Sequence, residues 1–204
     1  KAMFQMRGVS TPGGKSMKKK DRQDSLAALG MEFPVVVKTC CGGSSIGVYI
    51  VDDQEAYQKA LDEAFEYENE VVVEEFIKGV EYTVAVVDGT AYPVVQIVPK
   101  EGFYDYENKY KPGAVQETCP APISEELTKR LQEAAVDGYH ALEMESYARL
   151  DFIVTEDEKI YCLEANTLPG MTPTSLIPQE AAVLGMDYPT LCEELIRVSQ
   201  KKYE

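Results

Sequence analysis

Two short segments of this chain alternate apolar and polar residues and place acidic groups on one face. Residues 147–154 hold Arg149-Leu150-Asp151, and a second strand-like run, 160–165, leads into Glu164-Ala165-Asn166. Side chains alternate across a strand, so Arg149 shares a face with Asp151, and Glu164 with Asn166. The polar stretch Glu156–Lys159 predicts a hairpin with a four-residue loop. Its midpoint falls between Asp157 and Glu158, which sets Asp151 opposite Glu164 and Arg149 opposite Asn166.

Directly opposed residues have Cβ atoms roughly 5 Å apart. Two carboxylates at that distance repel by roughly 3 kcal/mol at an effective dielectric near 20, so the pair needs a proton, a base or a cation. Asp151, Glu164 and Asn166 offer hard oxygen ligands of the kind that hold Mg²⁺ carrying nucleotide phosphates. Arg149 beside them suits a phosphoryl group or a developing oxyanion. The alternative is an exposed hairpin face whose charges are solvated, and one slipped residue of register would separate the partners.

Three further stretches carry chemistry. Cys41-Gly42-Gly43-Ser44-Ser45-Ile46-Gly47 follows an apolar strand that ends in Lys38. Glycines let backbone N–H groups approach an anion, hydroxyls add donors, and Lys38 adds a positive charge. The loop runs into a strand and lacks the GK[ST] ending, so it is not a Walker A loop; a plain turn is the competing reading. Phe103–Lys111 combines three tyrosines with Lys109 and Lys111 in a connection, 99–115, of the length reserved for lids and binding loops, against an ordinary surface excursion. Glu74-Glu75-Phe76-Ile77 closes one strand and Glu81 opens the next. Such a junction offers backbone groups to a base and a carboxylate to a ribose, or is only an acidic loop.

The rest of the pattern alternates strands and helices. Residues 1–7 read as the tail of a helix stopped by Gly8, residues 9–14 as a turn-rich connection, and 20–29 as a short helix ended by Gly30. Strands are expected at 33–38, 47–51, 70–76, 81–87 and 91–98, the last two joined at Asp88-Gly89, with helices at 53–66 and 124–142. Two C-terminal helices complete the chain. Antiparallel strands interleaved with helices indicate an α+β sandwich and not a doubly wound parallel sheet. The expected division is a remnant helix and linker at 1–30, a small lobe at 31–78 and a large lobe at 79–204.

Charge narrows the partners. The net charge of −15 conceals an excess of eight Lys/Arg over three Asp/Glu in residues 1–38, with twelve against thirty-two beyond. A phosphate polymer would be repelled by most of this surface, so nucleic acid is not expected; the basic run Lys15–Arg22 reads as a solvated segment. No apolar run is long enough to span a bilayer, and no membrane partner is expected. Five cysteines without a CxxC spacing predict free thiols and a cytoplasmic setting. His140, the single histidine, leaves little for a His-based metal site or triad.

These pieces occur in the order seen in D-alanine–D-alanine ligases. FPVVVK with GGSSIGV, then EEFIKGVEYTV, YDYENKY, ARLDF and LEANTLPGMTPTSL all resemble that family's blocks, from about Phe33 to the C-terminal helices. The resemblance implies an ATP-grasp fold, two α+β lobes with mainly antiparallel sheets that hold ATP between them. It implies that one D-alanine carboxylate attacks the γ-phosphate and that the amine of a second D-alanine displaces phosphate from the acyl phosphate. By resemblance, Lys38 contacts nucleotide phosphates, Glu74 and Ile77 meet adenine, and Glu81 meets the ribose. Ser44 and Ser45 belong to the loop over the site, Lys109 reaches the transferred phosphoryl group, and Tyr110 matches dipeptide-forming ligases. Asp151, Glu164 and Asn166 correspond to ligands of Mg²⁺ or Mn²⁺, two ions in all. Arg149 and the Gly170 N–H correspond to the oxyanion pair, and Ser175 to the residue receiving the second substrate's carboxylate, with a helix N-cap as its other reading.

Thr39 stands where the family usually has proline. The Lys at position 1 and the helix tail predict an incomplete chain from which the family's N-terminal domain is missing, with reduced or no ligation on its own. The resemblance further implies peptidoglycan precursor synthesis and homodimers of full-length relatives. Another ATP-grasp carboxylate–amine ligase, or a non-catalytic nucleotide-binding module, are the alternatives.

Overall fold

The computed structural model describes residues 1–42, 46–99 and 115–203, and they divide into two compact units. One unit spans Pro12–Ile77. Its four-stranded antiparallel sheet has the order β1-β4-β2-β3, from β1 (Gly14–Lys18), β2 (Val35–Thr39), β3 (Val48–Val51) and β4 (Glu70–Glu75). Helix α2 (Gln54–Tyr67) is capped by Asp53, whose carboxylate accepts from Ala56 N, and it covers one face. Alternation sends Val35, Val37, Val71 and Val73 into that covered face, where they pack on Tyr57, Leu61, Ala64 and Phe65. Fully burying such side chains contributes about 1.5–3 kcal/mol each. The same alternation leaves Lys38 and Glu74 on the opposite face.

The other unit comprises Lys1–Thr11, Lys78–Val98 and the chain from Gln116 onward. Its sheet has the order β10-β9-β5-β7-β8, with β6 also pairing β5. The strands are β5 (Val80–Val87), β6 (Thr90–Ala91), β7 (Val95–Pro99), β8 (Val115–Thr118), β9 (Tyr147–Val154) and β10 (Ile160–Asn166). Helix α1 (Ala2–Met6) and α3 (Glu125–Ala141), the latter capped by Ser124, lie on one face, where Phe4, Leu131 and Tyr139 pack on Val84, Leu150 and Phe152. Helices α4 (Leu176–Val183) and α5 (Tyr188–Gln200) lie on the other face, where Ile177, Leu191 and Leu195 meet Ala85 and Val87. Both units are α+β with antiparallel ladders.

Four expectations change. Residues 1–30 are not a linker: Lys1–Thr11 joins one unit and Pro12 onward the other, because Gly14–Lys18 is a strand paired along β4. The helix expected over 20–29 is two 3-10 turns, Lys19–Asp21 and Leu26–Leu29, the second ended by Gly30 at φ +66°. The strand expected over 91–98 is divided into β6 and β7, with Pro93, which has no N–H to donate, in the gap. The expected 99–115 connection ends in β8, which begins at Val115.

Candidate functional site

Asp151 on β9 lies opposite Glu164 on β10, and Arg149 opposite Asn166. Their side chains converge on the sheet face away from α3. Arg149 grips Asp151 with two nitrogens, Nε to Oδ1 at 2.9 Å and a terminal nitrogen to Oδ2 at 2.8 Å. Asn166 Nδ2 donates to Asp151 Oδ2 at 3.0 Å and to Glu164 Oε1 at 3.1 Å. Thr83, fully buried on β5 and registered with Asp151, donates to Asp151 Oδ1 at 2.6 Å.

The amide nitrogen of Asn166 thus bridges the two carboxylates where a cation would sit. A half-turn of that amide presents Oδ1 instead and completes a set of hard oxygens. Among the described residues no group of three or more His, Cys, Asp or Glu side chains gathers as a metal cluster. Two carboxylates and an amide are nonetheless the sparse set that suits Mg²⁺, which keeps waters and takes phosphate oxygens as further ligands.

In the Pro12–Ile77 unit, Lys38 pairs with Glu74 on the face that α2 leaves open. Glu74 is buried, while Lys38 keeps 20% of its side chain exposed, enough to present its ammonium to solvent or an anion. Thr39 and Glu68 fix the base of the Gly/Ser loop beside them. A Cβ on Gly42 would come within 2.1 Å of Thr39 Oγ1, and one on Gly47, at φ +72°, within 2.8 Å of Thr39 Cγ2, so both positions require glycine. The Glu68 carboxylate accepts from Cys40 N at 2.9 Å and from Cys41 N at 2.9 and 3.1 Å. Burial pushes the Cys40 thiol up to about 11, with Glu70 and Glu68 adding to the effect. Ile77 is partly buried just past β4.

Glu81 lies two residues before Thr83 on β5, opposite Ile153, on the face of Thr83 and Arg149. Ser175 stands at the N-cap position of α4, as its other reading expected, but its side chain makes no capping bond to the helix. Its Oγ accepts from Thr172 N at 3.0 Å and would lie 3.3 Å from a Cβ on Gly170. The segment holding Gly170 is therefore folded back onto Ser175. Ser44, Ser45, Lys109 and Tyr110 lie outside the described residues, as does Phe103–Lys111, the expected lid.

Two supporting residues were not singled out from sequence. Thr83 is a hydroxyl in an otherwise apolar run, VAVV following it. Glu180 is a carboxyl in the apolar helix α4, fully buried, with Oε2 accepting from Ala85 N at 2.7 Å. One surface cavity, about 420 Å³ and lined by Ser10, Arg130, Asp137, Lys159 and Cys162 among others, opens on the α3 side of the sheet and not on the acidic face.

The family model described as the D-ala D-ala ligase C-terminus matches residues 5–197. The D-alanine–D-alanine ligase of Syntrophotalea carbinolica is 43% identical over 196 residues, which is 96% of this chain and 63% of that protein. The D-alanine–D-alanine ligase of Bacillus anthracis superposes with a TM-score of 0.85 at 37% identity, over 98% of this chain and 65% of that one. Its structure complexed with ATP gives 0.83 at 33% identity, over 98% and 64%. The D-Ala:D-Ser ligase VanG of Enterococcus faecalis gives 0.84 at 30% identity, over 97% and 59%. The chain spans less than two thirds of the length of these relatives, and its fold is theirs, the α+β ATP-grasp fold. With the family model covering nearly all of it and a ligase 43% identical over 96% of it, the chain belongs to the D-alanine–D-alanine ligase family, whose C-terminal region it matches.

Proposed function

We propose that this chain supplies the nucleotide- and metal-binding part of a ligase that joins two D-alanines while ATP is converted to ADP and phosphate. The observation that carries the reading is the convergence of Asp151, Glu164 and Asn166 beside Arg149, in a chain whose relatives are named D-alanine–D-alanine ligases and include one solved with ATP.

Mg²⁺ or Mn²⁺, two ions in the active enzyme, would neutralise phosphate charge as the γ-phosphoryl moves. Asp151, Glu164 and Asn166 would hold those ions. Lys38 faces the phosphates, Glu74 and Ile77 the adenine, and Glu81 the ribose. Ser44 and Ser45 add donors over the phosphates, and Lys109 and Tyr110 act at the transferred group and the acceptor. The first D-alanine carboxylate takes the γ-phosphoryl group as an acyl phosphate, and the amine of the second displaces phosphate. Arg149 and the Gly170 N–H stabilise the oxyanion of that second step, while the Ser175 hydroxyl receives the acceptor's carboxylate. The unit holding Pro12–Ile77 serves the phosphates and base, and the unit holding Lys78–Val98 and the chain from Gln116 onward serves the metal and substrates. We place the reaction in the cytoplasm, in peptidoglycan precursor synthesis, with the full-length protein a homodimer. The 204 residues alone bind magnesium nucleotide weakly and ligate negligibly in this reading, because the relatives extend well beyond the matched region.

The test is ADP release and dipeptide formation by a protein of the relatives' length, offered D-alanine, D-serine and D-lactate as acceptors. D-alanine is expected to be preferred, and Glu164→Gln to abolish turnover. Equal use of unrelated amino acids would point to another carboxylate–amine ligase. Magnesium-nucleotide binding with no product from any acceptor would point to a nucleotide-binding module.

A further inference from the structure

The least expected group in the larger unit is Glu180. It is fully buried, and among the described residues its Oε1 has no hydrogen-bond partner. Buried carboxyls are uncommon because desolvation disfavours the charged form, and here burial pushes the group well above the ordinary carboxylate range. Arg149 is close enough to favour its ionised form and Asp151 to oppose it, so Glu180 lies within electrostatic reach of the acidic hairpin.

Its position follows from a defect in the sheet. β5 pairs with β7 at Glu81–Thr83 and with β6 at Val86–Val87. Between these, Ala85 O accepts from Tyr92 N at 2.8 Å, while the Tyr92 carbonyl accepts from Gln132 Nε2 at 3.0 Å, so the acceptor place opposite Ala85 N falls to another group. Glu180 Oε2 fills that place. A buried N–H left unmet is unfavourable, so the bond holds α4 to β5 at Ala85, the register partner of Arg149. Ser175 precedes Glu180 by five residues, about 7.5 Å of helix rise. Next to Glu180, Gln179 donates to Glu117 Oε2 at 2.5 Å and to Thr174 O at 3.0 Å, a second tie on the same turn.

We infer that Glu180 is a positioning residue, the side-chain tie that sets the Gly170–Ser175 end of α4 against the strand pair carrying Arg149 and Asp151. The inference rests on the ligase reading for its kinetic consequence, since Ser175 is the proposed acceptor end, but the mechanical tie stands apart from it. Glu180→Gln keeps an acceptor for Ala85 N, whereas Glu180→Met has the same length without one.

In the protein of the relatives' length, Glu180→Met is expected to raise KM for the acceptor D-alanine about tenfold and to lower kcat, because small displacements of a positioned group are amplified in rate. The ATP Kd stays within about twofold, and Glu180→Gln restores parental kinetics. Unchanged acceptor KM and kcat in Glu180→Met would overturn the inference, as would an ATP Kd that rises in step with them. Hydrogen exchange decides the tie without turnover. Glu180→Met should speed exchange at Ala85 and at residues 172–177 together, by about tenfold, with Glu180→Gln at the parental rate. Faster exchange at Ala85 alone, or at neither, would sink the tie. A parent that makes no product from D-alanine would remove the ligase reading and leave the exchange result to judge the tie.

Discussion

Thr83 donates its hydroxyl to Asp151 Oδ1 across the β5–β9 ladder at 2.6 Å. Leu150 O lies 3.2 Å from the same hydroxyl, and the shorter bond goes to the charged acceptor. Thr83→Val has nearly the same shape but lacks the donor. It is expected to lower stability by about 1–3 kcal/mol and to weaken magnesium-nucleotide binding by loosening Asp151, while Thr83→Ser keeps both. Urea denaturation and calorimetry check this. A valine variant equal to the parent in both measurements would remove Thr83 from the site.

The Lys38–Glu74 pair gives a second prediction. Glu74 is buried at 3% side-chain exposure and Lys38 partly exposed at 20%, so Lys38→Met is expected to lower stability by about 1–3 kcal/mol. The double variant Lys38→Met/Glu74→Gln should recover part of that loss, since coupled sites are not additive. Nucleotide affinity should fall in the single and stay low in the double, because Lys38 serves the phosphates directly. Additive stability losses would show that the pair contributes nothing as a pair.

Much of this arrangement was legible in the sequence, though not always by the right route. Alternation correctly placed Arg149 and Asp151 on one face, and the hairpin count correctly opposed Asp151 to Glu164. The connection is nonetheless one residue longer than the count assumed: Ile160 pairs with Val154 and Cys162 with Phe152, and the register shifts between Cys162 and Glu164. The bulge at Leu163 restores the pairing, and bulges leave no reliable mark in a single sequence. β1 was missed because Lys15 and Lys18 flank a single buried residue, Met17, so charge hid its alternation. Thr83 and Glu180 were missed because their partners come from tertiary register. A threonine or glutamate in an apolar run signals a buried polar contact, but not its partner.

Thr39, the last residue of β2, shows what local context adds. Its side chain packs under the loop against Gly42 and Gly47, and its N–H donates to Gly47 O at 3.2 Å. Gly47→Ala is expected to cost about 1–3 kcal/mol from the left-handed φ alone and to reduce nucleotide affinity by shifting the loop. Adding Thr39→Ala relieves the clash with Cγ2 but leaves the backbone strain, so the double variant should recover only part of the stability. Thermal melts of Gly47→Ala, of Thr39→Ala and of the double variant settle the division. Full recovery would mean that the clash, and not φ, dominates.

The buried carboxyl of Glu180 makes stability depend on pH with a definite sign. Burial raises its folded value well above the ordinary one, against the opposing pull of the Ala85 N–H and Arg149. The folded state therefore holds the proton more tightly than the unfolded chain, where a glutamate titrates near about 4.3. The contribution is fully present below that value and is lost progressively as pH rises towards the folded value. Glu180→Gln cannot ionise and lacks this dependence. The stability of the parent relative to Glu180→Gln should thus be greatest near pH 4, decline as pH rises, and level off once the folded group has lost its proton. Urea denaturation of both proteins between pH 4 and 9 measures the difference directly. Parallel curves across that range would mean that Glu180 is ionised at an ordinary pH and that water or a cation reaches it.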